Sequence, residues 1–195
     1  TLDGVKVDEI HADLTSALNL TGVETLDENN GISWRGTQKS GQFNIPIENA
    51  QAFLETPNPT PKPNADVVRP WVNGRALTHR YSGSWIVDFG VDAAEQQAAL
   101  FEKPFEYVKT QVKPQRDSNK RDWRRLHWWL HAETCPGYRE AVKGLDRFIC
   151  TPRVSKFRLF KWLDAPFLPD DGTYAFARSD DYFFGVLHSS VHELW

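Results

Sequence analysis

Residues 144–163 read GLDRFICTPRVSKFRLFKWL, and the fold class turns on how this stretch pairs. Residues 147–151 are a short β-prone run, Pro152 breaks it, and 154–163 alternates with the period of two that marks a half-buried strand. In the second run Phe157, Leu159 and Leu163 fall on one face, and Lys156, Arg158, Phe160 and Trp162 on the other. Two cations followed by two aromatics offer charge to phosphates and flat rings to sugar and base, the makings of a nucleic-acid surface. The same face also fits a solvated edge whose aromatics lie under a helix. Arg153 stands just before the run.

Outward from this stretch, residues 138–145 read as a short helix, 174–177 and 183–188 as strands, and SSVHELW from Ser189 as a helix. Strands that follow one another without long intervening helices predict an antiparallel or mixed sheet with flanking helices, an α+β fold and not a doubly wound one. Upstream, 84–89 (SWIVDF) reads as a strand, Asp92 as the cap of a helix through AAEQQAALFE, and 105–112 as a helix ended by Pro114. Residues 31–47 look like a hairpin, ISWRG and FNIPI joined by TQKSGQ, and 47–55 like a helix. Its loop, bracketed by Gly36 and Gly41, holds Arg35, Thr37, Lys39 and Gln42, donors suited to phosphates or base edges, though a polar turn reads the same way. The spacing of Val7, Ile10, Leu14 and Leu18 suits an amphipathic helix over 7–18. TPNPTPKPN, residues 56–64, favours an extended linker. These signals divide the chain into 1–56 (lead-in helix and hairpin), a Pro-rich linker at 57–65, and a main part at 66–195, together one compact domain.

The net charge of −3 hides an asymmetry. Residues 1–66 hold ten acids and four bases, whereas 103–161 hold fifteen bases and six acids, an excess of +9 that suits a polyanion. Within it Lys109, Lys113, Arg116, Lys120, Arg121, Arg124 and Arg125 interleave with Trp123, Trp128 and Trp129, a pattern of nucleic-acid surfaces and also of solvated helices over buried Trp. Cys135 and Cys150 form neither a CxxC pair nor a disulfide framework, which points to a reducing, cytoplasmic setting. No signal peptide or long apolar run suggests a membrane. A chain that starts at Thr1 and contains no Met reads most simply as a piece of a longer polypeptide.

Signals for chemistry are weak. His127 with His131, and His188 with His192, have i,i+4 spacing suited to zinc on a helix, but neither pair has a third ligand, and ordinary packing roles are favoured. Glu102, Glu106 and Lys109 could serve a magnesium-dependent nuclease, yet no strand-borne acid and lysine accompany them. Asn58-Pro59-Thr60-Pro61 lacks the aromatic fourth residue that an amino-methyltransferase motif needs to stack on a flipped base. A protein-interaction module using the aromatic surface is a further alternative.

Taken in order, HADLT, ENNGISWRGTQKSGQFNI, DVVRPWVNGRAL, WIVDFG, PFEYVKTQVKPQR, WRRLHWW, the 144–163 stretch and DDYFFGVLHSSVHELW resemble the C-terminal target recognition domain of MmeI-like (type IIL) bacterial DNA methyltransferases and fused restriction-modification enzymes, which act in phage defence. The resemblance covers nearly the whole chain. It implies a non-catalytic domain with no cofactor of its own that reads double-stranded DNA. A preceding methyltransferase domain of the same polypeptide would carry S-adenosylmethionine and the adenine-N6 chemistry. It implies a structural Arg69-Pro70-Trp71 and family text that runs on past Trp195 into an arginine-containing loop, which leaves open whether base-reading residues lie there. The DNA-binding candidates are then Arg35, Lys39, Gln42, Lys113, Arg116, Arg124, Arg125, Arg153, Lys156 and Arg158, with no catalytic or metal residues.

Overall fold

In chain order the strands are β1 (Ser33–Arg35), β2 (Asn44–Ile45), β3 (Val68–Val72), β4 (Trp85–Val87), β5 (Arg147–Pro152), β6 (Lys161–Asp164), β7 (Leu168–Pro169) and β8 (Thr173–Phe176). The helices are α1 (Ile47–Glu55), α2 (Gly74–Thr78), α3 (Glu95–Ala98), α4 (Glu102–Gln111), α5 (Lys113–Asp117), α6 (Asp122–Leu126), α7 (Pro136–Ala141), α8 (Asp181–His188) and α9 (Ser190–Leu194). This computed structural model describes residues 1–11, 14–16, 24–79, 81 and 83–194. Thr1–Asn30 and Gly31–Trp195 form separate compact units. The first holds a Leu2–Val5 bridge and a 3-10 turn at Asp27–Asn29.

Two sheets build the second unit, in the orders β1-β8-β5-β6 and β2-β4-β3-β7. The first is antiparallel throughout, and the second is mixed because β3 runs parallel to β7. The fold is α+β. In β5, Phe148, Ile149 and Cys150 are all buried, because both faces of the strand are covered. Phe148 and Cys150 join the main core with Leu163, Ala175 and residues of the second sheet, while Ile149 faces a smaller cluster with Phe160 and Leu187.

That smaller cluster explains the aromatic face of the 144–163 stretch. Trp162 stacks on Phe184 of α8 with centroids 4.8 Å apart, and Phe160 packs edge-on to Phe176 and His188. The aromatics therefore lie under a helix. Two expectations are corrected here. Residues 183–188, expected as a strand, belong to α8: the Asp180 carboxylate accepts from Phe183 N at 2.8 Å, and Phe183, Phe184 and Leu187 fall on one helical face. Residues 154–160, expected to extend β6, are a loop held by Thr151 Oγ1 donating to Leu159 O at 2.7 Å. Phe157, placed on one face with Leu159 and the buried Leu163, is instead 71% exposed.

The hairpin at 31–47 is also corrected, because β1 pairs with β8 and β2 with β4. Asp92 does not cap α3, which begins after Ala94. Pro114 opens α5, where its missing N–H costs nothing. The expected linker at 57–65 is folded back onto α1: buried Asn64 donates to Phe53 O and Thr56 O, and Asn58 donates to Asn64 Oδ1. Residues 7–11 and 14–16 are not helical, and the remainder of the helix expected over 7–18 lies outside the described residues, as do Ala12 and Asp13 of HADLT and Trp195.

Candidate nucleic-acid interface

A Cβ on Gly36 would stand 2.1 Å from Asp170 O and 2.6 Å from Pro169 O, so only glycine allows the chain to press against the β7–β8 turn. There Gly36 N donates to Thr173 O and Thr37 N to Pro169 O, at 3.1 and 2.9 Å. Residues 36–40 thus form a strap from the edge of the first sheet toward β2 of the second. Gln38 exchanges both backbone bonds with Glu133 at 3.0 Å each, and Lys39 O accepts from Ala132 N at 3.3 Å. The loop GTQKSGQ and the segment that follows the basic run are therefore adjacent, although 77 residues separate Lys39 from Arg116.

Arg116 makes this junction. It is 1% exposed and donates to Lys39 O, Leu130 O and Arg124 O at 3.0, 3.1 and 3.3 Å. Burial, with Arg124 nearby, pushes its pKa down to about 10, so it is still a cation at neutral pH. A guanidinium so enclosed cannot touch a phosphate, which corrects its place among the surface candidates. Arg124 is 15% exposed and reaches Ser40 Oγ at 3.4 Å and Glu133 at 3.9 Å. Lys39 bonds Asn44 Oδ1 and lies over the Trp71 ring, and burial lowers its pKa against the pull of Asp170.

The remaining candidates divide by how occupied they are. Arg35 pairs with Asp171 at 3.0 Å, Lys113 with Asp117 at 3.3 Å and Arg125 with Asp122 at 2.8 Å, all with exposed or half-exposed partners that screen each other weakly. Gln42 is exposed. Arg153 is exposed and its N–H donates to Gly172 O at 2.8 Å, which sets it beside the same β7–β8 turn that Gly36 touches. Lys156 is exposed in the 154–160 loop, 5.2 Å from the Phe157 ring. Arg158 departs from expectation: it donates to Leu187 O at 2.8 Å and Ser189 O at 3.3 Å, lies 2.8 Å from His192 Nδ1, and pairs with Glu193 at 3.6 Å. It satisfies carbonyls at the end of α8, as Arg147 holds the start through Asp181 and Ser179 O. Within 103–161, and among the described residues, Lys103, Lys120, Arg121, Arg153 and Lys156 are exposed cations in no ion pair.

Sequence reasoning gave no reason to single out Arg121 and Trp123 within the basic run. They wall a cleft of about 430 Å³ with Arg124, Glu133, Thr134 and Cys135. A second feature is hidden: Asp88, 3% exposed, receives both terminal nitrogens of Arg139 at 2.8 and 2.9 Å, with Arg69 at 3.7 Å and His131 at 3.9 Å. Arg69 also donates to the carbonyls of Pro166, Ala165 and Phe167, a structural role. Of the histidines, His131 bonds Val87 O in the core, His127 stacks on Trp123, and His188 and His192 pack on Phe160. Among the described residues no three His, Cys, Asp or Glu are grouped to hold a metal ion, and no helix is long and apolar enough to cross a membrane. Glu106 pairs with Lys109 at 3.9 Å on the exposed side of α4.

No family model and no curated protein matches the chain. The fold nevertheless recurs within an enzyme of restriction and modification. That solved structure is the type IIL restriction-modification enzyme MmeI in complex with DNA, 13% identical, with a TM-score of 0.66 over 98% of this chain. The chain spans 25% of that enzyme's length, and at this identity the likeness establishes the fold.

Proposed function

We propose that this chain is a DNA sequence-recognition domain, itself non-catalytic, of a longer adenine-specific methyltransferase or restriction-modification enzyme. Its S-adenosylmethionine would be held by a preceding domain. The observation that carries the reading is the fold correspondence, which runs through 98% of the chain and matches it to a part of an enzyme solved with DNA. The charge pattern supports it independently: the +9 block of 103–161 supplies exposed Lys120, Arg121, Arg153 and Lys156. Phosphate neutralisation by such cations sets orientation and affinity, while loop side chains such as Gln42 are free to read base edges. Arg116 and Arg158 act inside the fold, and the interface rests on the other candidates.

The test is a titration of duplex DNA, followed by anisotropy at rising salt, with and without S-adenosylmethionine. Binding is expected to weaken with a log–log slope of about −0.9 per phosphate contacted. The cofactor is expected to change nothing. A flat salt response, or no DNA binding at all, sinks the recognition reading, and saturable cofactor binding to this chain sinks the assignment of the cofactor elsewhere.

A further inference from the structure

The cleft beside α6 is built differently from the rest of the basic surface. Arg121, Arg124, Glu133, Thr134 and the half-buried Cys135 line it. Trp123 forms part of the wall and is 44% exposed. One face of its indole is covered by His127, 4.9 Å away and nearly parallel, and His127 is not itself among the wall residues. A ring held flat by a neighbour and left half in solvent is a stacking platform whose orientation is already fixed. The volume, about 430 Å³, lies in the range of small-ligand sites, the size of one nucleotide and not of a stacked base pair.

Resting on the DNA reading above, we propose that this cleft takes a single unpaired nucleotide of a DNA strand, its base against Trp123 and its phosphate between Arg121 and Arg124. The chemistry is complementary at each point. Guanidinium groups meet phosphate oxygens in a two-pronged geometry. An indole stacks on any base, because every base has a flat face. Thr134 lies in the wall where a hydroxyl can meet a polar base edge. Arg124 is anchored by Ser40 and Glu133, so it is positioned before the ligand arrives, whereas Arg121 is exposed and makes no ion pair among the described residues. Unpairing a base costs a few kcal/mol in intact duplex and least where the base has no partner already. The site therefore favours DNA with a one-base bulge or a single-stranded gap over fully paired DNA.

Cys135 makes the occupancy measurable. Cys150 is wholly buried, so a thiol reagent at alkaline pH modifies Cys135 selectively, and Cys135→Ser removes that signal. Modification rates are compared for the free chain, for paired duplex, for the same duplex with a one-base bulge, and for a free mononucleotide, while DNA binding is followed separately by anisotropy. Protection by the bulged duplex and not by the paired one is expected, together with tighter binding of the bulge. Trp123→Ala is expected to weaken the bulged complex roughly ten-fold, as loss of one stacking ring does, and leave the paired complex unchanged. Arg121→Gln should weaken the bulged complex more than the paired one, which tests the phosphate contact. Protection by the mononucleotide as strong as by the bulge would assign the cleft to a free nucleotide and overturn the proposal. Equal protection by both duplexes, or DNA binding with no protection, overturns it too while leaving DNA recognition intact; failure of all DNA to bind overturns both.

Discussion

Arg116 and Lys156 carry the same charge in the same basic block, yet their environments give them opposite work. The Arg116 guanidinium is enclosed, and three backbone carbonyls accept from it. Replacing it by alanine removes that donor from Leu130 O and Arg124 O at the junction of the strap and the Leu130 segment, while Lys39 O keeps Ala132 N. An unpaired buried acceptor costs about 1–3 kcal/mol. Arg116→Ala is therefore expected to lose roughly 3 kcal/mol or more in chemical denaturation. Lys156 is exposed, and its ring neighbour Phe157 is 71% exposed. Lys156→Ala is expected to stay within about 0.5 kcal/mol of the parent in stability. It should weaken binding to all duplex sequences alike and reduce the salt slope by about one. A stable Arg116→Ala protein, or a Lys156→Ala protein with unchanged affinity and slope, refutes the corresponding assignment. Nothing in the sequence separates these two cations, because the burial of Arg116 is decided by Lys39, 77 residues away.

At the scale of elements, the turn between β7 and β8 is where the two sheets meet. Asp170 N donates to Val72 O, Asp170 O accepts from Thr173, and the Asp170 carboxylate accepts from Gly172 N at 2.9 Å. Burial pushes the Asp170 carboxyl up to about 6, with Asp171 adding to the rise and the Gly172 N–H and Lys39 opposing it. The sign follows from proton linkage. A carboxyl whose folded value lies above its unfolded value of 3.8 binds its proton more readily when folded, so its ionisation weakens the fold as pH rises from about 4 through 6. Asp170→Asn keeps an oxygen for Gly172 N and carries no charge. It is expected to raise the melting temperature above about pH 6, with the gain fading toward pH 4. A variant that melts lower than the parent at neutral pH would show that attraction to Lys39 dominates instead. How legible elements were depended on whether local signals sufficed. Helix α1 was read with both ends in place, and β5 and β8 within a residue, because capping, proline and alternation are local. The run 154–160 alternates as well as β6 does but has no neighbouring strand, and FFGVL in α8 is a short apolar run whose period fits either structure. The strap at 36–40 was legible as a candidate loop, but its partner across the sheet boundary was not.

The whole unit from Gly31 onward is tied together by one buried carboxylate. Asp88 follows β4, and its own N–H donates to Val67 O ahead of β3. Arg69 comes from β3 and reaches the carbonyls of 165–167 that lead into β7. Arg139 comes from α7, where Tyr138 packs edge-on to Phe148 of the other sheet. Burial by itself would raise the Asp88 carboxyl, but Arg139, with Arg69 behind it, outweighs it and holds it well below the usual carboxylate range. Its contribution to stability is then fully present above the unfolded value of 3.8 and is lost as pH falls below that toward the folded value. His131, kept neutral by burial despite Asp88, adds a separate acid penalty that begins near 6.5, because unfolding lets it protonate. Asp88→Asn isolates the first effect. It leaves the half-buried Arg139 and Arg69 without their counter-charge, so it is expected to cost about 2–4 kcal/mol at neutral pH. The difference from the parent should then shrink as pH falls below about 4, because there the parent loses the same carboxylate. Urea midpoints of both proteins from neutral to acidic pH measure this directly. A difference that stays constant through that window would mean that the charge of Asp88 is not what holds the two sheets' connections together.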